Sequence, residues 1–86
     1  MSLTAASEAA LVARFVDAAR AVDRRGRDFA GVTADTALDS LGLDSFSLME
    51  LVGRLEEAAG VTLSDAQLAR LRTVRDVARA LADEEL

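Results

Sequence analysis

The hydrophobic positions of this chain recur every three or four residues in several stretches, a spacing that keeps side chains on one face of an α-helix. The first stretch runs from Ala5 to about Val22, and its apolar face comprises Leu11, Val12, Phe15, Val16, Ala18, Ala19 and Val22. The second begins at Asp44 or Ser45 and ends near Ala59, and its face comprises Leu48, Leu51, Val52, Leu55 and Ala59. Both stretches are therefore predicted to be amphipathic helices.

Two capping patterns predict two further helices towards the end of the sequence. Ser64 and Gln67 match a capping box, in which a hydroxyl and an amide satisfy backbone donors of the first turn, and a short helix using Leu68 and Leu71 follows. Residues 73–76 repeat the pattern with an acid in the glutamine position, and the last helix then buries Val74, Val77, Ala78 and Leu81. The predicted fold class is all-α, a small four-helix bundle with three longer helices and one short helix.

Residues 27–43, between the first two helices, show no sustained period and contain Gly31 and Gly42. A connection of this length in a small domain is usually either functional or disordered. Apolar residues are nevertheless scattered through it, namely Phe29, Val32, Leu38, Leu41 and Leu43. We therefore expect a long loop that is pinned to the core, with one short turn at Leu38–Leu41.

Composition limits the possible functions. The 86 residues suffice for one small domain, which we assign to residues 1–86. Cysteine and histidine are absent, which excludes disulfides, thiolate metal sites and histidine base chemistry. No apolar run approaches the roughly 20 residues of a membrane-spanning helix, and no secretory signal pattern opens the sequence. We expect a soluble, cytoplasmic protein without a membrane partner.

Acidic residues are concentrated in the middle of the chain, whose net charge is −5. Residues 31–69, here called the acidic segment, contain Arg54 as their one basic residue against seven acids, which gives 1 − 7 = −6. The seven acids are Asp35, Asp39, Asp44, Glu50, Glu56, Glu57 and Asp65. This segment should repel nucleic acid and attract partner proteins that have basic surfaces.

The most specific pattern is the turn Leu41-Gly42-Leu43-Asp44-Ser45, directly before the second helix. It resembles the signature of the acyl carrier protein family, in which a Leu-Gly-x-Asp-Ser turn presents the serine that receives phosphopantetheine from coenzyme A. The resemblance extends over nearly the whole chain, including the last helix opened by residues 73–77. It implies a non-catalytic carrier with 4′-phosphopantetheine covalently attached to Ser45 by a separate, magnesium-dependent phosphopantetheinyl transferase.

The chemistry expected around Ser45 agrees with that implication. A serine at a helix N-terminus places its Oγ near unpaired backbone N–H groups and the positive end of the helix dipole, where a phosphodiester is stabilised. The chain has no histidine or lysine to accept the hydroxyl proton, so activation has to come from the transferase. Asp44 either caps the helix or helps the transferase to hold its metal ion, and both roles remain open. No metal site of the chain's own is expected.

Two positions differ from the usual family pattern. Phe46 follows the modified serine where carrier proteins usually have leucine, and Ser47 stands where carriers of primary metabolism often have an acid. Together with the use of arginine for every basic residue, this favours a carrier of a specialised pathway, such as one for polyketides, over the housekeeping carrier of fatty-acid synthesis. We also expect a discrete, monomeric protein. Its partners would be acyl-loading and synthase enzymes. Because the loading enzyme chooses the cargo, an aminoacyl or peptidyl carrier is the alternative.

One face of the second helix is predicted to bind these partners. At about 100° per residue, Phe46, Met49, Glu50, Gly53 and Glu57 lie opposite the core face, and we call these five residues the docking face. Large apolar side chains rimmed by acids suit transient docking, and the missing side chain of Gly53 lets a partner backbone approach closely. In the alternative, the long loop covers Phe46 and makes it part of the core.

Two other classes of function are compatible with parts of the pattern. A helical adaptor domain that is never modified would show the same periodicity but would not need the turn before Ser45. A carboxylate-based hydrolase using Asp39 and Asp44 is the enzymatic alternative, although loop aspartates are more often caps and a chain this small offers little pocket to raise a carboxyl pKa. The mass of the protein after exposure to transferase and coenzyme A distinguishes a carrier from both.

Overall fold

The computed structural model describes residues 5–84 of the chain. Within them lie four α-helices: α1 (Ala5–Val22), α2 (Ser45–Ala59), α3 (Asp65–Ala69) and α4 (Val74–Glu84). A 3-10 helix, Leu38–Leu41, lies in the connection between α1 and α2. The described residues contain no strand, and their isolated antiparallel bridge pairs Ala37 with Thr73. The predicted all-α fold with three longer helices and one short helix is confirmed.

The core lies where α1, α2 and α4 pack against one another. Its buried members from these helices are Phe15, Ala19, Val22, Leu51, Val52, Leu55, Val74, Val77 and Leu81. The predicted faces of the three longer helices are therefore confirmed, although some of their members are only partly buried, namely Leu11, Val12, Val16, Ala18, Leu48 and Ala59. Across the described residues, no helix combines the length and the hydropathy that crossing a membrane requires.

The third helix is shorter than the sequence predicted. It begins with the expected capping box, in which Ser64 Oγ accepts from the backbone N–H of Gln67 and the Gln67 side chain accepts from the Ser64 N–H. It ends at Ala69, so Leu71 follows the helix instead of lying in it. Leu68 and Leu71 both pack, partly buried, against the core.

The long connection between α1 and α2 is ordered by the core and by backbone hydrogen bonds. It buries Phe29, Ala34, Leu38 and Leu41. Its backbone pairs with the segment that opens α4, since the Leu38 N–H donates to the Arg72 carbonyl at 2.8 Å and the Val74 N–H donates to the Thr36 carbonyl at 3.1 Å. The predictions of a pinned loop and of a turn at Leu38–Leu41 are confirmed.

Arg75 joins three parts of the chain. Its guanidinium donates to Glu8 of α1 at 2.9 Å and also to Asp35 of the long connection. Its backbone N–H donates to the Ala34 carbonyl at 2.8 Å. These bonds hold the connection between α1 and α4, and so fix the path by which the chain arrives at the start of α2.

Candidate functional site

The turn that leads into α2 depends on Gly42. This residue ends the 3-10 helix with φ 78° and ψ 7°, in the left-handed region that residues with a Cβ adopt only at a cost. A Cβ at this position would lie 3.3 Å from Cζ of the Arg27 guanidinium. Glycine therefore permits both the reversal of the chain and the close approach of Arg27.

Asp44 is the N-cap of α2. Its Oδ1 accepts from the backbone N–H of Ser47 at 2.7 Å, and its backbone carbonyl accepts from the Leu48 N–H at 2.9 Å. The pKa of Asp44 lies below its ordinary value, first because of this backbone bond, then because of the Ser47 hydroxyl, with a smaller contribution from the positive charges of Arg24 and Arg25. The capping role is therefore present in the structure, whereas contact with a transferase-bound metal stays a prediction.

Ser45 is the first residue of α2 and is exposed. It differs from the other serines whose side chains are described. Ser40 donates to a backbone carbonyl at 2.6 Å, Ser47 hydrogen-bonds Asp44, and Ser64 accepts a bond within its capping box at 3.1 Å. Within the described part of the chain, the Ser45 hydroxyl has no such partner. It is accessible and unpaired, so the residues present fit a serine-linked phosphodiester.

The docking face is exposed to solvent. Phe46 is 72% exposed and Met49 is 51% exposed, and they are the large hydrophobic residues found exposed among those described. A Cβ added at Gly53 would meet no other atom within 4 Å. Burial of Phe46 under the long connection, the alternative left open by the sequence, is wrong, because Phe29, Leu38 and Leu41 fill the core from that segment instead.

The two acids of the docking face differ in their surroundings. Glu57 is exposed and makes no ion pair within residues 5–84, whereas Glu50 lies 3.9 Å from Arg54. Their neighbour Glu56 accepts from the backbone N–H of Leu63 at 2.6 Å and thereby holds the connection to α3. The acidic segment therefore contains both structural carboxylates and carboxylates that are free to meet a partner.

The structure also places a basic groove at the start of α2, which sequence analysis missed. The groove has a volume of about 180 Å³, and its walls are formed by three arginines, two aspartates and three further residues, namely Arg24, Arg25, Arg27, Asp23, Asp44, Gly42, Leu43 and Ser47. We call it the arginine groove. Helical periodicity gives no sign of it, because the arginines lie about twenty residues before the turn they meet. The available signal was the run of basic residues after α1, which by itself indicates only favourable charge at the C-terminal end of a helix.

The sequence comparisons bear on the whole domain. The model of the phosphopantetheine attachment site family matches residues 14–81. An acyl carrier protein of Exiguobacterium sp. is 39% identical over 64 residues, which cover 72% of this chain and 81% of the relative. An acyl carrier protein homologue of Ureaplasma parvum serovar 3 is 41% identical over 46 residues, which cover 54% of this chain and 60% of the relative, less than two thirds of its length. No solved structure was found to match.

The range of the family model includes the turn and the exposed Ser45. The family model spans 14–81 of the 86 residues, well over half of the chain, and the Exiguobacterium relative aligns along most of its own length. The chain therefore belongs to the acyl carrier protein family, whose cofactor is covalently attached 4′-phosphopantetheine.

Proposed function

We propose that Ser45 receives the phosphopantetheine arm and that the protein carries acyl groups, as thioesters on that arm, between biosynthetic enzymes. The observation that supports this assignment is the exposed, unpaired hydroxyl of Ser45 at the first residue of α2. The arm supplies a terminal thiol, which is the group that forms the thioester. The chain itself contributes the attachment point and the surface that partner enzymes bind.

Attachment is a phosphoryl transfer in which a bond forms between Ser45 Oγ and the β-phosphorus of coenzyme A. The bond from that phosphorus to the nucleotide breaks, and adenosine 3′,5′-bisphosphate leaves. The hydroxyl proton passes to a base of the transferase, because this chain contains no histidine or lysine. Asp44 holds the first turn of α2 through Ser47, so that Ser45 is presented at a rigid helix end.

The mass of the protein tests the assignment of Ser45. Apo protein incubated with a broad-specificity phosphopantetheinyl transferase and coenzyme A should gain one phosphopantetheine mass, and Ser45→Ala should fold but gain none. Ser40→Ala and Ser47→Ala are the matched controls and should be modified. Failure of the wild-type protein to gain mass would favour the adaptor domain, and modification of Ser45→Ala would refute the assigned site.

The docking face is our proposal for the surface that the transferase and the synthase enzymes bind. Phe46 and Met49 offer apolar area on the wet side of α2, and Glu57 adds an unpaired negative charge beside it. A partner with a basic rim around an apolar depression would complement this arrangement. Space above Gly53 would allow the backbone of the partner to approach closely.

For the pathway, we propose a discrete, monomeric, cytoplasmic carrier of polyketide type, with a fatty-acid or an aminoacyl carrier as the alternatives. Support comes from the departures at Phe46 and Ser47. The mass of the cargo on protein isolated from its own host would decide among them. The hydrolase alternative is disfavoured, because Asp39 and Asp44 are both exposed and the pKa of Asp44 is lowered, whereas a general acid needs a raised one.

A further inference from the structure

The arginine groove is lined by two guanidinium groups that form no ion pair within residues 5–84. Arg27, on its wall, pairs with Asp23 at 3.0 Å. The side chains of Arg24 and Arg25 are exposed and make no hydrogen bond or ion pair with any residue in the range 5–84. Their charges nevertheless reach the start of α2, because both contribute to the lowered pKa of Asp44.

Attachment of a phosphodiester at Ser45 creates an electrostatic conflict at this helix end. The N-terminus of a helix stabilises one anion through its dipole and its unpaired N–H groups. In this protein the Asp44 carboxylate already lies at the N-terminus of α2 and accepts a hydrogen bond from the Ser47 N–H. A second negative charge on the adjacent residue would be repelled by Asp44, and a nearby cation would offset this repulsion.

We propose that Arg24 and Arg25 bind the phosphodiester of the arm on Ser45, so that the arginine groove anchors the base of the arm. This inference rests on the proposed attachment at Ser45. Guanidinium groups donate two parallel N–H bonds to phosphate oxygens, and the two arginines are unpaired beside Asp44 and Ser47, the neighbours of the attachment point. No docking-face residue lines the groove, so an anchored arm leaves that face open to partners.

The test uses nuclear magnetic resonance on protein whose modification has first been verified by mass. Wild type, the double variant R24Q/R25Q and the charge-matched control R14Q/R79Q are each compared in the apo and holo forms. Arg14 and Arg79 are exposed, lie outside the groove and make no ion pair among the described residues. Two signals are followed: the ³¹P resonance of the phosphodiester and the Nε–Hε resonances of the arginine side chains.

In wild type, the Nε–Hε resonances of Arg24 and Arg25 should shift on conversion to the holo form, and those of Arg14 and Arg79 should not. The ³¹P resonance should move towards its value in the unfolded holo protein in R24Q/R25Q, and should keep its wild-type value in R14Q/R79Q. Added salt should move the wild-type ³¹P resonance in the same direction, because it screens an exposed ion pair.

Identical ³¹P resonances in all three holo proteins, or arginine signals unchanged on modification of the wild type, would overturn the anchoring role. Should R24Q/R25Q fail to fold, the apo-to-holo comparison of the wild-type arginine signals decides alone. Failure of the wild type to be modified is a separate result that refutes the proposed function, and the mass measurement detects it before any spectrum is recorded.

Discussion

Gly42 meets two constraints at once: its φ is positive, and the Arg27 guanidinium lies 3.3 Å from the place that a Cβ would occupy. Gly42→Ala is therefore expected to destabilise the fold by about 1–2 kcal/mol, the cost of the left-handed conformation for a residue with a Cβ, with added crowding from Arg27. Urea unfolding gives the free energy. Gly31→Ala is the control, since its φ is not positive and no atom lies within 4 Å of the added Cβ. Equal losses from both variants would contradict this account of the turn.

Asp44 makes stability depend on pH in a defined direction. Its pKa in the folded protein lies below its ordinary value of 3.8, chiefly because of the Ser47 N–H. The charged cap therefore stabilises the fold above that ordinary value, and its contribution is lost as the pH falls through the lowered pKa. Asp44→Asn keeps a good capping side chain but cannot titrate. The difference in unfolding midpoint between wild type and Asp44→Asn should be constant above about pH 5 and should change below 3.8.

A difference that stays constant to the lowest pH would remove Asp44 as the titrating group. Asp76, whose pKa is also lowered, first by a hydrogen bond from the Arg72 N–H, is present in both proteins and so does not enter the difference. The positions of Asp44 and Ser45 at the start of α2 could be predicted from sequence, because a cap is a local interaction over three residues. The partners of Arg24 and Arg25 could not, because nothing local sets which turn they meet.

Helices were the most predictable elements of this chain. The bounds of α1 and α2 and the start of α4 follow from hydrophobic periodicity together with capping patterns, and the structure has them where the sequence placed them. The length of α3 was less predictable, because its five residues give too short a window for periodicity, and Leu71 reaches the core from outside the helix. The 3-10 helix Leu38–Leu41 was predicted as one short turn, from apolar positions scattered through the connection.

The two faces of α2 should respond differently to truncation. Leu51 is fully buried, so Leu51→Ala should lower the free energy of unfolding by about 2–5 kcal/mol. Phe46→Ala and Met49→Ala should each change the free energy by no more than about 0.5 kcal/mol, because these side chains are largely exposed. Urea unfolding measures all three. In assays with partner enzymes, Phe46→Ala and Met49→Ala should lower the turnover rate more than Leu51→Ala does.

Gly53→Ala is the complementary change on the docking face. It adds one methyl group in open space and improves helix propensity by about 0.5–1 kcal/mol, so the isolated protein should become more stable. Slower partner turnover in this more stable variant would separate docking from folding. If Phe46→Ala and Met49→Ala leave turnover unchanged, the docking face does not bind those partners.

At the scale of the whole molecule, the arrangement depends on contacts between distant residues. Arg75 bonds Glu8 across 67 positions and Asp35 across 40. The arginine groove likewise joins residues that follow α1 to the turn before α2. Local patterns do not specify such pairs, so the sequence predicted the elements and the position of Ser45 at the start of α2 but not the charges around it. Ser45 lies in the acidic segment and also next to the arginine groove. The net charge of −6 over residues 31–69 does not include these arginines, because they precede the segment in the sequence.

Because acidic and basic groups both surround Ser45, electrostatic steering of partner enzymes has to be tested with two variants that change the net charge equally at different places. Glu57 is exposed, unpaired within the described residues and part of the docking face, and Asp17 of α1 is equally exposed and unpaired but lies outside the acidic segment. Each reversal to lysine changes the net charge of −5 by two units, to −3. Glu57 is the cleaner choice for the test, because reversing Glu50 would also remove the partner of Arg54.

Suppose that the acidic segment steers basic enzyme surfaces. At low ionic strength and a limiting concentration of the carrier, Glu57→Lys should then slow the transferase reaction several-fold, whereas Asp17→Lys should have a much smaller effect. The wild-type rate should fall as salt rises, and the rates of wild type and Glu57→Lys should converge near 1 M salt, where the screening length is about 3 Å. Stopped-time mass measurements of the holo fraction against ionic strength supply both rates and slopes. Equal effects of the two reversals would mean that only net charge matters. If Glu57→Lys has the same rate and the same salt dependence as wild type, the acidic segment contributes to solubility and does not steer partners.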